Sequence, residues 1–221
     1  MTWFKQIIKR IFDLSASIFG LIVLSPILFS IAIWIKIGSK GSIFYRGVRI
    51  GMHGIPFRIY KFRSMIMNAE TMGASSTSGD DERITRVGKI LRHYKLDELP
   101  QFINVFLGEM SFVGPRPEVK KFVDTYNDEE KFILTVKPGI TDWSSLQFSN
   151  EEEILKAHAD RYPDADEAYA KFIRPEKLKL QLEYVRKHSM LVDLVIITKT
   201  ITTVLSKVWI KDCKQQDNSF E

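Results

Sequence analysis

Cysteine is almost absent from this sequence of 221 residues, and internal repeats are absent altogether. The single Cys213 excludes an intramolecular disulfide and argues against a zinc site built on cysteine thiolates. Low-complexity sequence is confined to one small polar stretch at residues 72–81. These features fit one domain, or one domain with an anchor, rather than a repeat array or a disulfide scaffold.

Acidic residues are outnumbered, with 27 Asp and Glu against 32 Lys and Arg, which leaves a formal net charge of +5. This surplus of positive charge is compatible with three kinds of partner: anionic phospholipid, a phosphorylated substrate or nucleic acid. Hydrophobic residues make up 45% of the chain, which is enough to form a core and argues against global disorder.

Charge is missing from one long run, the 22 residues from Leu14 to Ile35, which is long enough to cross a bilayer. Residues 1–13 combine apolar side chains at helical spacing with interleaved cations, which is typical of an interfacial helix whose cations face anionic lipid. Ser25 and Pro26 stand in the middle of the run, where proline should bend or break a helix. Basic residues flank both ends, so a re-entrant helix-break-helix hairpin and a spanning helix stay open as alternatives.

Two predicted strands, Ile43 to Ile50 and Pro56 to Met65, are separated by a Gly-Met-His-Gly turn and should form a small β-hairpin. In the second strand, Lys61 and Arg63 continue a face that begins with apolar residues. Cations are unfavourable in a core, so this face either enters a phosphate-binding cleft or belongs to an edge strand with solvated ends.

The stretch from His93 to Glu118 combines an adjacent carboxylate pair with a rigid cationic turn. Asp97 is predicted to cap a helix that ends near Gly108, and Glu98 to lie in the first turn of that helix. The later Gly-Pro-Arg-Pro turn presents Arg116, whose planar guanidinium suits a phosphate. Each feature alone is explained by a helix cap or a solvated cation. Together they favour a phosphate-ester site with Asp97 as a nucleophile or metal ligand.

The rest of the chain is predicted to be mostly helical. The polar stretch 72–81 suits a lid over the site, and a basic helix from Glu82 to His93 follows it, with Arg92 near its end. A strand or irregular loop at 140–149 should pack Trp143 on the body of the protein. Further helices are expected over 119–132, 150–159, 176–187 and 190–209, the last as a second interfacial helix, with a frayed polar tail after residue 211.

A series of short motifs follows one another along residues 9–141: KRIFD at 9–13, LSP at 24–26, KFRSM at 61–65, RITRVG at 83–88, LDELPQ at 96–101, MSFVGPRPE at 110–118 and KPGIT at 137–141. In this order, they resemble the bacterial sugar transferases of the monotopic phosphoglycosyl transferase family. The C-terminal helices also fit that family, and the chain corresponds to its minimal catalytic form.

The resemblance implies a membrane enzyme that transfers a phosphosugar from a nucleotide-activated sugar, usually a UDP-sugar, to undecaprenyl phosphate. It implies that Ser25 and Pro26 form the break of a re-entrant helix. It further implies that Asp97 attacks the sugar-bearing phosphorus, releases UMP and forms an aspartyl-phosphosugar intermediate, which the polyprenyl phosphate then displaces. Magnesium is the implied cofactor, with Asp97 and Glu98 as its ligands. The candidates for phosphate contacts are Lys61, Arg63, Arg92 and Arg116.

We therefore expect a helix-rich α+β fold in three parts: a re-entrant membrane anchor over 1–40, a catalytic domain over 41–211 and a polar tail over 212–221. Interfacial amphipathic helices would surround the compact catalytic domain. The expected location is the bacterial inner membrane, with a monotopic protein whose active site lies on the cytoplasmic face. The expected partners are the UDP-sugar, undecaprenyl phosphate and phospholipid, with a homodimer as an option. Nucleic acid is not expected, because the long apolar run does not suit it.

Two other functions compete with this one. A catalytically inactive membrane scaffold would require the set of Lys61, Asp97 and Arg116 to be coincidental, and a lipid-phosphate phosphatase would release phosphate rather than UMP. The sequence also departs from the family pattern at two places. Asp142 stands where many relatives have glycine, and is expected to bear on donor-sugar choice rather than on the chemistry. Tyr94–Lys95 replace the usual small hydroxyl residues.

Overall fold

The computed structural model describes residues 3–79 and 81–217, with side chains described as far as residue 206. The helices are α1 Trp3–Gly38, α2 Arg86–His93, α3 Gln101–Leu107, α4 Lys120–Val123, α5 Trp143–Gln147, α6 Glu151–Ala157, α7 Ala165–Ala168, α8 Arg174–Lys187 and α9 Met190–Asp217. The strands are β1 Phe44–Tyr45, β2 Val48–Ile50, β3 Pro56–Arg58, β4 Lys61–Phe62, β5 Ser111–Val113 and β6 Gly139–Thr141. This helix-rich arrangement with short strands agrees with the predicted α+β class.

The first helix is continuous through Pro26, where the sequence predicted a break between two helices. Proline leaves the carbonyl of Ile22 without its usual N–H donor, and the hydroxyl of Ser25 donates to that carbonyl at 2.7 Å. Because a side chain supplies the missing hydrogen bond, the Ser-Pro pair is accommodated inside one helix. By length and composition α1 could cross a membrane, and its re-entrant placement stays a prediction.

Two cations near the start of α1 turn toward the protein instead of facing lipid. Lys9 forms an ion pair with Asp193 of α9 at 2.5 Å. Arg10 donates to the carbonyls of Val105 and Phe106, at 2.7 and 2.9 Å, in the last turn of α3. A cation at this end of a helix satisfies unpaired carbonyls and complements the helix dipole. The prediction that these two cations face lipid is therefore wrong, because they dock α1 onto the rest of the chain.

The predicted β-hairpin is present, with strands shorter than expected. β2 pairs antiparallel with β3, and β1 with β4, so that Val48 lies opposite Arg58 and Phe44 opposite Phe62. The ladder is interrupted between the two pairs of strands. A parallel pairing of β5 with β6, which the sequence did not predict, places Ser111 opposite Gly139.

Hydrophobic clusters hold these elements around the hairpin. One cluster joins α1 to α2 and β4 through Ile31, Ile35, Phe62 and Leu91. A second joins β3 to α3 and consists of Phe57, Ile59, Val105 and Met110. A third joins β5 to the C-terminal helices through Val113, Tyr184, Val185 and Ile196. The hairpin and α3 are thus fixed against each other by buried apolar surface, which orients the polar residues between them.

Several helix boundaries differ from the predicted ones for local reasons. α2 begins at Arg86 rather than Glu82, because the Thr85 hydroxyl accepts a hydrogen bond from the N–H of Gly88 and caps the helix there. The helix predicted over 119–132 is divided into α4 and a 3-10 turn at Glu130–Thr135.

The C-terminal third also shows elements that the sequence analysis missed. Trp143 opens the short helix α5 and packs on the third cluster, as its predicted position on the body required. A π-helical turn, Tyr169–Ile173, joins α7 to α8 without a break. α9 begins at Met190, as predicted, and its backbone continues to Asp217. The predicted frayed tail is therefore helical that far, and residues 218–221 lie outside the described part.

Gly88 lies where α2 packs against the main chain of Ser64. A Cβ at this position would collide with the Ser64 carbonyl, and neither backbone has a low-cost way to move. We expect Gly88→Ala to lower the free energy of unfolding by about 1–3 kcal/mol or more through overpacking. The matched control is Gly79→Ala, because the nearest atom to a Cβ there is an ordinary 3.9 Å away. Denaturation in detergent, followed by circular dichroism, should separate the two variants, and equal midpoints would contradict the clash.

Candidate active site

A cleft of about 960 Å³ opens between the hairpin, the start of α3 and the C-terminal helices. The structure brings every sequence-predicted site residue of the catalytic domain to this cleft. The lining residues from that set are Lys61, Arg63, Arg92, Asp97, Glu98 and Arg116. Among the described residues that line the cleft, Lys and Arg outnumber Asp and Glu, so the cleft suits an anionic ligand.

Asp97 does not cap a helix as predicted. It lies in a 3-10 turn, Leu96–Glu98, and α3 starts only at Gln101, with Pro100 at its N-cap. Lys95, just before the turn, has a φ of 57°, a left-handed conformation that is uncommon outside glycine, asparagine and aspartate. This reversal of the chain brings both acids to the cleft wall. Backbone strain of this kind is concentrated at functional sites in proteins.

Glu98 lies between two cations. Lys61 Nζ donates to Glu98 Oε1 at 2.7 Å, and Arg116 donates to both carboxylate oxygens, at 3.2 Å to Oε2. Burial disfavours the ionised form, but the charges of Arg116 and Lys61 outweigh it and hold the pKa of Glu98 well below its usual value. The same pairing raises the pKa of Arg116. Glu98 is therefore ionised and engaged in fixing the two cations.

Asp97 has a different environment. Its side chain is buried, with a relative exposure of 7%, and Oδ1 has no hydrogen-bond partner in the described part of the chain. Burial raises the pKa of Asp97, and the charge of Lys61 opposes that shift. A buried carboxylate oxygen without a donor is costly, and such groups are retained where a ligand or a reaction uses them. Of the two adjacent acids, Asp97 is thus the one available for chemistry.

The turn that carries Arg116 is fixed by the parallel strand pair. The N–H of Gly114 donates to the carbonyl of Thr141 at 3.1 Å, and the N–H of Gly139 donates to that of Pro115 at 2.9 Å. A Cβ on either glycine would collide with the backbone of the other segment. Both glycines are therefore required by this close approach, which sets Arg116 opposite Glu98.

Arg63 and Arg92 line the cleft but donate to other groups. Arg92 Nε donates to Glu152 Oε1 at 2.8 Å. Arg63 donates to the carbonyls of Ser39 and Lys40, at 3.0 and 2.7 Å, and so holds the chain that leaves α1. A phosphate contact by either arginine stays a prediction. In the structure, Arg63 connects the end of α1 to the cleft wall.

Glu118 and two tyrosines form a buried cluster that the sequence analysis missed. The hydroxyl of Tyr169 donates to Glu118 at 2.6 Å, and that of Tyr126 donates at 3.2 Å. Burial, followed by the charge of Glu118, raises the pKa of both tyrosines, which therefore stay protonated donors. Since Glu118 follows Arg116 by two residues, the cluster buttresses the cationic turn. Tyr169 reaches it from the π-helical turn, which no local sequence signal indicated.

Asp142 does not belong to the described lining of the cleft. It is fully buried, and its carboxylate accepts hydrogen bonds from the hydroxyl of Ser144 and the N–H of Ser145, each at 2.7 Å. It therefore caps α5 and acts as a structural residue. Its expected effect on donor-sugar choice is not supported by a direct contact with the described cleft lining. The other departure from the family pattern, Lys95, does line the cleft.

The polar loop at 72–79 reaches the cleft, as a lid would, and is tied down by Asp166. The N–H groups of Ser75 and Ser76 donate to the Asp166 carboxylate at 2.9 and 2.7 Å, and Lys121 pairs with the same group. Burial opposes ionisation of Asp166, but Lys121 and the two N–H donors outweigh it and lower its pKa. Mobility of the loop stays a prediction.

We expect Asp166→Ala to release this loop, because the substitution removes the acceptor of both N–H groups. Limited proteolysis at neutral pH should cut the loop about tenfold faster than in the unmodified protein, since cleavage follows the open population. Asp160→Ala is the matched control, because Asp160 is exposed and lies in the segment between α6 and α7, just before the helix that carries Asp166. Because the pKa of Asp166 is depressed in the folded protein, the restraint is present above the ordinary carboxylate range. It should weaken as pH falls through that depressed pKa. Equal cleavage rates in both variants would contradict the restraint.

Comparison with known proteins identifies the family of this chain. A family model described as bacterial sugar transferase matches residues 4–207. The chain belongs to the bacterial sugar transferase family. The resemblance inferred from the sequence motifs is therefore confirmed. The described ion pair of Glu98 with Arg116 also shows that two motifs of this sugar transferase, LDELPQ and GPRP, meet in space.

Three relatives illustrate the likeness. The chain is 37% identical, over 90% of its length, to the UDP-N-acetylgalactosamine-undecaprenyl-phosphate N-acetylgalactosaminephosphotransferase of Aeromonas hydrophila, of which it covers 44%. It is 34% identical, over 89% of its length, to the UDP-glucose:undecaprenyl-phosphate glucose-1-phosphate transferase of Escherichia coli, of which it covers 40%. It is 37% identical, over 90% of its length, to the uncharacterised sugar transferase EpsL of Bacillus subtilis, of which it covers 88%. The chain thus spans less than half of the first two relatives.

Proposed function

We propose that this sugar transferase moves a phosphosugar from a UDP-sugar to undecaprenyl phosphate, with release of UMP, through a covalent intermediate on Asp97. The observation that carries the proposal is the contrast between the two adjacent acids. Glu98 is engaged by Lys61 and Arg116, whereas Asp97 keeps a buried carboxylate oxygen without a partner. The names of two relatives, which specify UDP-sugar donors and undecaprenyl phosphate, support the choice of substrates.

The reaction is written as two displacements at phosphorus. An oxygen of Asp97 attacks the sugar-bearing phosphorus, the bond from that phosphorus to the bridging oxygen breaks, and UMP leaves with the electron pair. A phosphate oxygen of the polyprenyl phosphate then attacks the same phosphorus, and the Asp97 carboxylate leaves. The division allows the soluble donor and the lipid acceptor to occupy the cleft in turn rather than together.

The cations next to Asp97 suit the charge that such displacements develop. Arg116 carries a planar fork of N–H groups, only some of which are occupied by Glu98, and Lys61 has three donors. Glu98 holds both groups in place before substrate arrives, so little reorganisation is needed when phosphate oxygens approach. Glu98 thus positions the cations, and Asp97 provides the nucleophile.

Magnesium fits the carboxylates of this site. Among the described residues there is no group of three or more His, Cys, Asp or Glu side chains placed to hold a metal. Mg²⁺, however, is commonly held by one or two carboxylates together with substrate phosphates and water. The unpartnered Oδ1 of Asp97 matches that need, with Glu98 beside it as a second ligand or a support. Bound there with the donor, the ion would neutralise the diphosphate charge.

The apolar surface of two helices supports placement at the bacterial inner membrane. On α1, large hydrophobic side chains are exposed along its length, including Phe19, Ile22 and Phe29. On α9, Leu191 and Leu205 are exposed in the same way. We assign residues 1–40 to a re-entrant anchor and 41–211 to a catalytic domain on the cytoplasmic face, with phospholipid around α1. Exposed apolar area of this kind is typical of a lipid-facing surface.

The proposal is tested by intact-protein mass spectrometry of the full chain in detergent. The protein is mixed with magnesium and a panel of UDP-sugars, and the lipid acceptor is left out. The expected result is a mass increase of one phosphosugar with a single donor, stoichiometric UMP, and loss of the adduct when polyprenyl phosphate is added. UMP formation only when donor and acceptor are both present would indicate direct transfer instead. No turnover with a complete panel would favour the inactive scaffold.

A further inference from the structure

Arg46 lies at the interruption of the hairpin, between β1 and β2, and lines the cleft. Its guanidinium lies over the ring of Tyr60, with Cζ 3.5 Å from the ring centroid. The Tyr60 ring is itself packed edge-on against Phe44, at 6.0 Å between centroids. Arg46 is therefore held in one orientation by a ring that the hairpin fixes.

The charge of Arg46 is not engaged by an acid in the described part of the chain. Lys61 and Arg116 pair with Glu98, and Arg92 pairs with Glu152. Arg46, in contrast, has a buried Nε without a hydrogen-bond partner. Unlike Lys61, Arg92 and Arg116, it combines a fixed guanidinium with donors that no described carboxylate uses. A phosphate group that accepts from two guanidinium N–H groups is the ligand that this geometry matches.

We propose that Arg46, held on the Tyr60 ring, binds the phosphate of the nucleotide that leaves in the first displacement. The inference rests on the proposed function, in which the donor carries two phosphates. Asp97, Lys61 and Arg116 meet the phosphate that is attacked, and the departing phosphate needs a cation of its own. Stacking on Tyr60 leaves the N–H edge of Arg46 free and reduces the entropy lost when it binds. Tyr60 acts as a positioning residue.

The test measures nucleotide binding and does not require turnover. Full-length protein and its Arg46→Gln variant are titrated in detergent with uridine, UMP and a short-chain polyprenyl phosphate, each in a competition format. We expect UMP to bind about tenfold more weakly to the variant, because a charge-assisted contact is lost, while uridine and the polyprenyl phosphate bind as before. Arg86→Gln removes the same charge from an exposed site outside the described cleft lining and should leave all three affinities unchanged.

Each alternative use of Arg46 has its own result. An equal loss of uridine binding would show that Arg46 contacts the base, and a loss confined to the polyprenyl phosphate would show that it serves the acceptor. The inference would be overturned by either of these results, by unchanged affinities, or by a wild-type protein that does not bind UMP. Tyr60→Phe keeps the aromatic ring and should retain the UMP affinity, whereas Tyr60→Leu removes the ring and should reduce it. This pair of variants distinguishes an effect of the stacking contact from a general loss of folding. A protein that binds UMP through Arg46 but forms no adduct would refute the covalent mechanism alone.

Discussion

Asp97→Asn is expected to abolish both the phosphosugar adduct and overall transfer. The substitution keeps the volume of the side chain but removes the anionic oxygen that would attack phosphorus. Removal of an enzymatic nucleophile costs a factor on the order of ten-thousandfold or more in turnover, and we expect a loss of that size. The measurement is the initial rate of UMP release, together with intact-protein mass spectra of both proteins.

Glu98→Gln is the matched comparison, because it changes the adjacent carboxylate in the same way. It should slow the reaction without preventing the adduct, since its ion pairs with Lys61 and Arg116 hold groups that contact phosphate rather than form the bond. If the Glu98 variant lost the adduct while the Asp97 variant kept it, the roles of the two acids would be reversed. A folded Asp97→Asn protein that retained normal turnover would exclude the covalent route.

Lys9→Met should be among the most destabilising single substitutions in the protein. The pair of Lys9 with Asp193 is mostly buried, with side-chain exposures of 18% and 4%. Without Lys9, the Asp193 carboxylate stays buried with the Tyr184 hydroxyl as a donor at 2.8 Å. Removal of one member of a buried ion pair costs about 3–5 kcal/mol, and we expect a loss of that order in the free energy of unfolding.

Two further variants make this prediction specific. Lys5→Met removes a similar cation from an exposed position one turn earlier, and should change the free energy of unfolding by less than about 0.5 kcal/mol. The double variant with Asp193→Leu should recover part of the loss, because no uncompensated charge is left buried. Denaturant titration in detergent supplies all three values. Equal effects of Lys9→Met and Lys5→Met would refute a structural role for the pair.

Local chemistry explains how much of the site the sequence revealed. Asp97 and Arg116 were predicted because each lies in a short motif whose residue types suit phosphate. The pairing of Glu98 with Lys61 was not predictable, since the two residues lie 37 positions apart in the sequence. The hydrogen bond from Tyr169 to Glu118 joins residues 51 positions apart, and the stack of Arg46 on Tyr60 depends on the hairpin register. Contacts of this kind arise only in the folded chain.

The fold shows the same limit in its first helix. Pro26 alone predicted a bend or a break, and the family resemblance implied a break. The neighbouring hydroxyl of Ser25 compensates for the missing donor, and the helix is continuous. Charge patterning placed Lys9 and Arg10 toward lipid, whereas their acceptors are a carboxylate and carbonyls from distant segments. The hairpin was predicted well, because alternating residues and a glycine-rich turn specify it locally. The parallel pairing of β5 with β6 has no local signal.

Under the proposed function, the close packing of α1 against α3 would link the bilayer to the reaction. Arg10 donates a hydrogen bond to a carbonyl at the end of α3, and a Cβ on Gly20 would collide with the ring of Phe102. The two helices are therefore in close contact. A hydrophobic helix changes its tilt when the surrounding hydrocarbon layer becomes thicker or thinner. With α1 in lipid, such a tilt would move α3, and with it the neighbouring Asp97. Arg116 would stay in place, because the pairing of β5 with β6 holds its turn, so the distance between Asp97 and Arg116 would change. Lipid chain length would then tune the rate of catalysis without any change in the substrates.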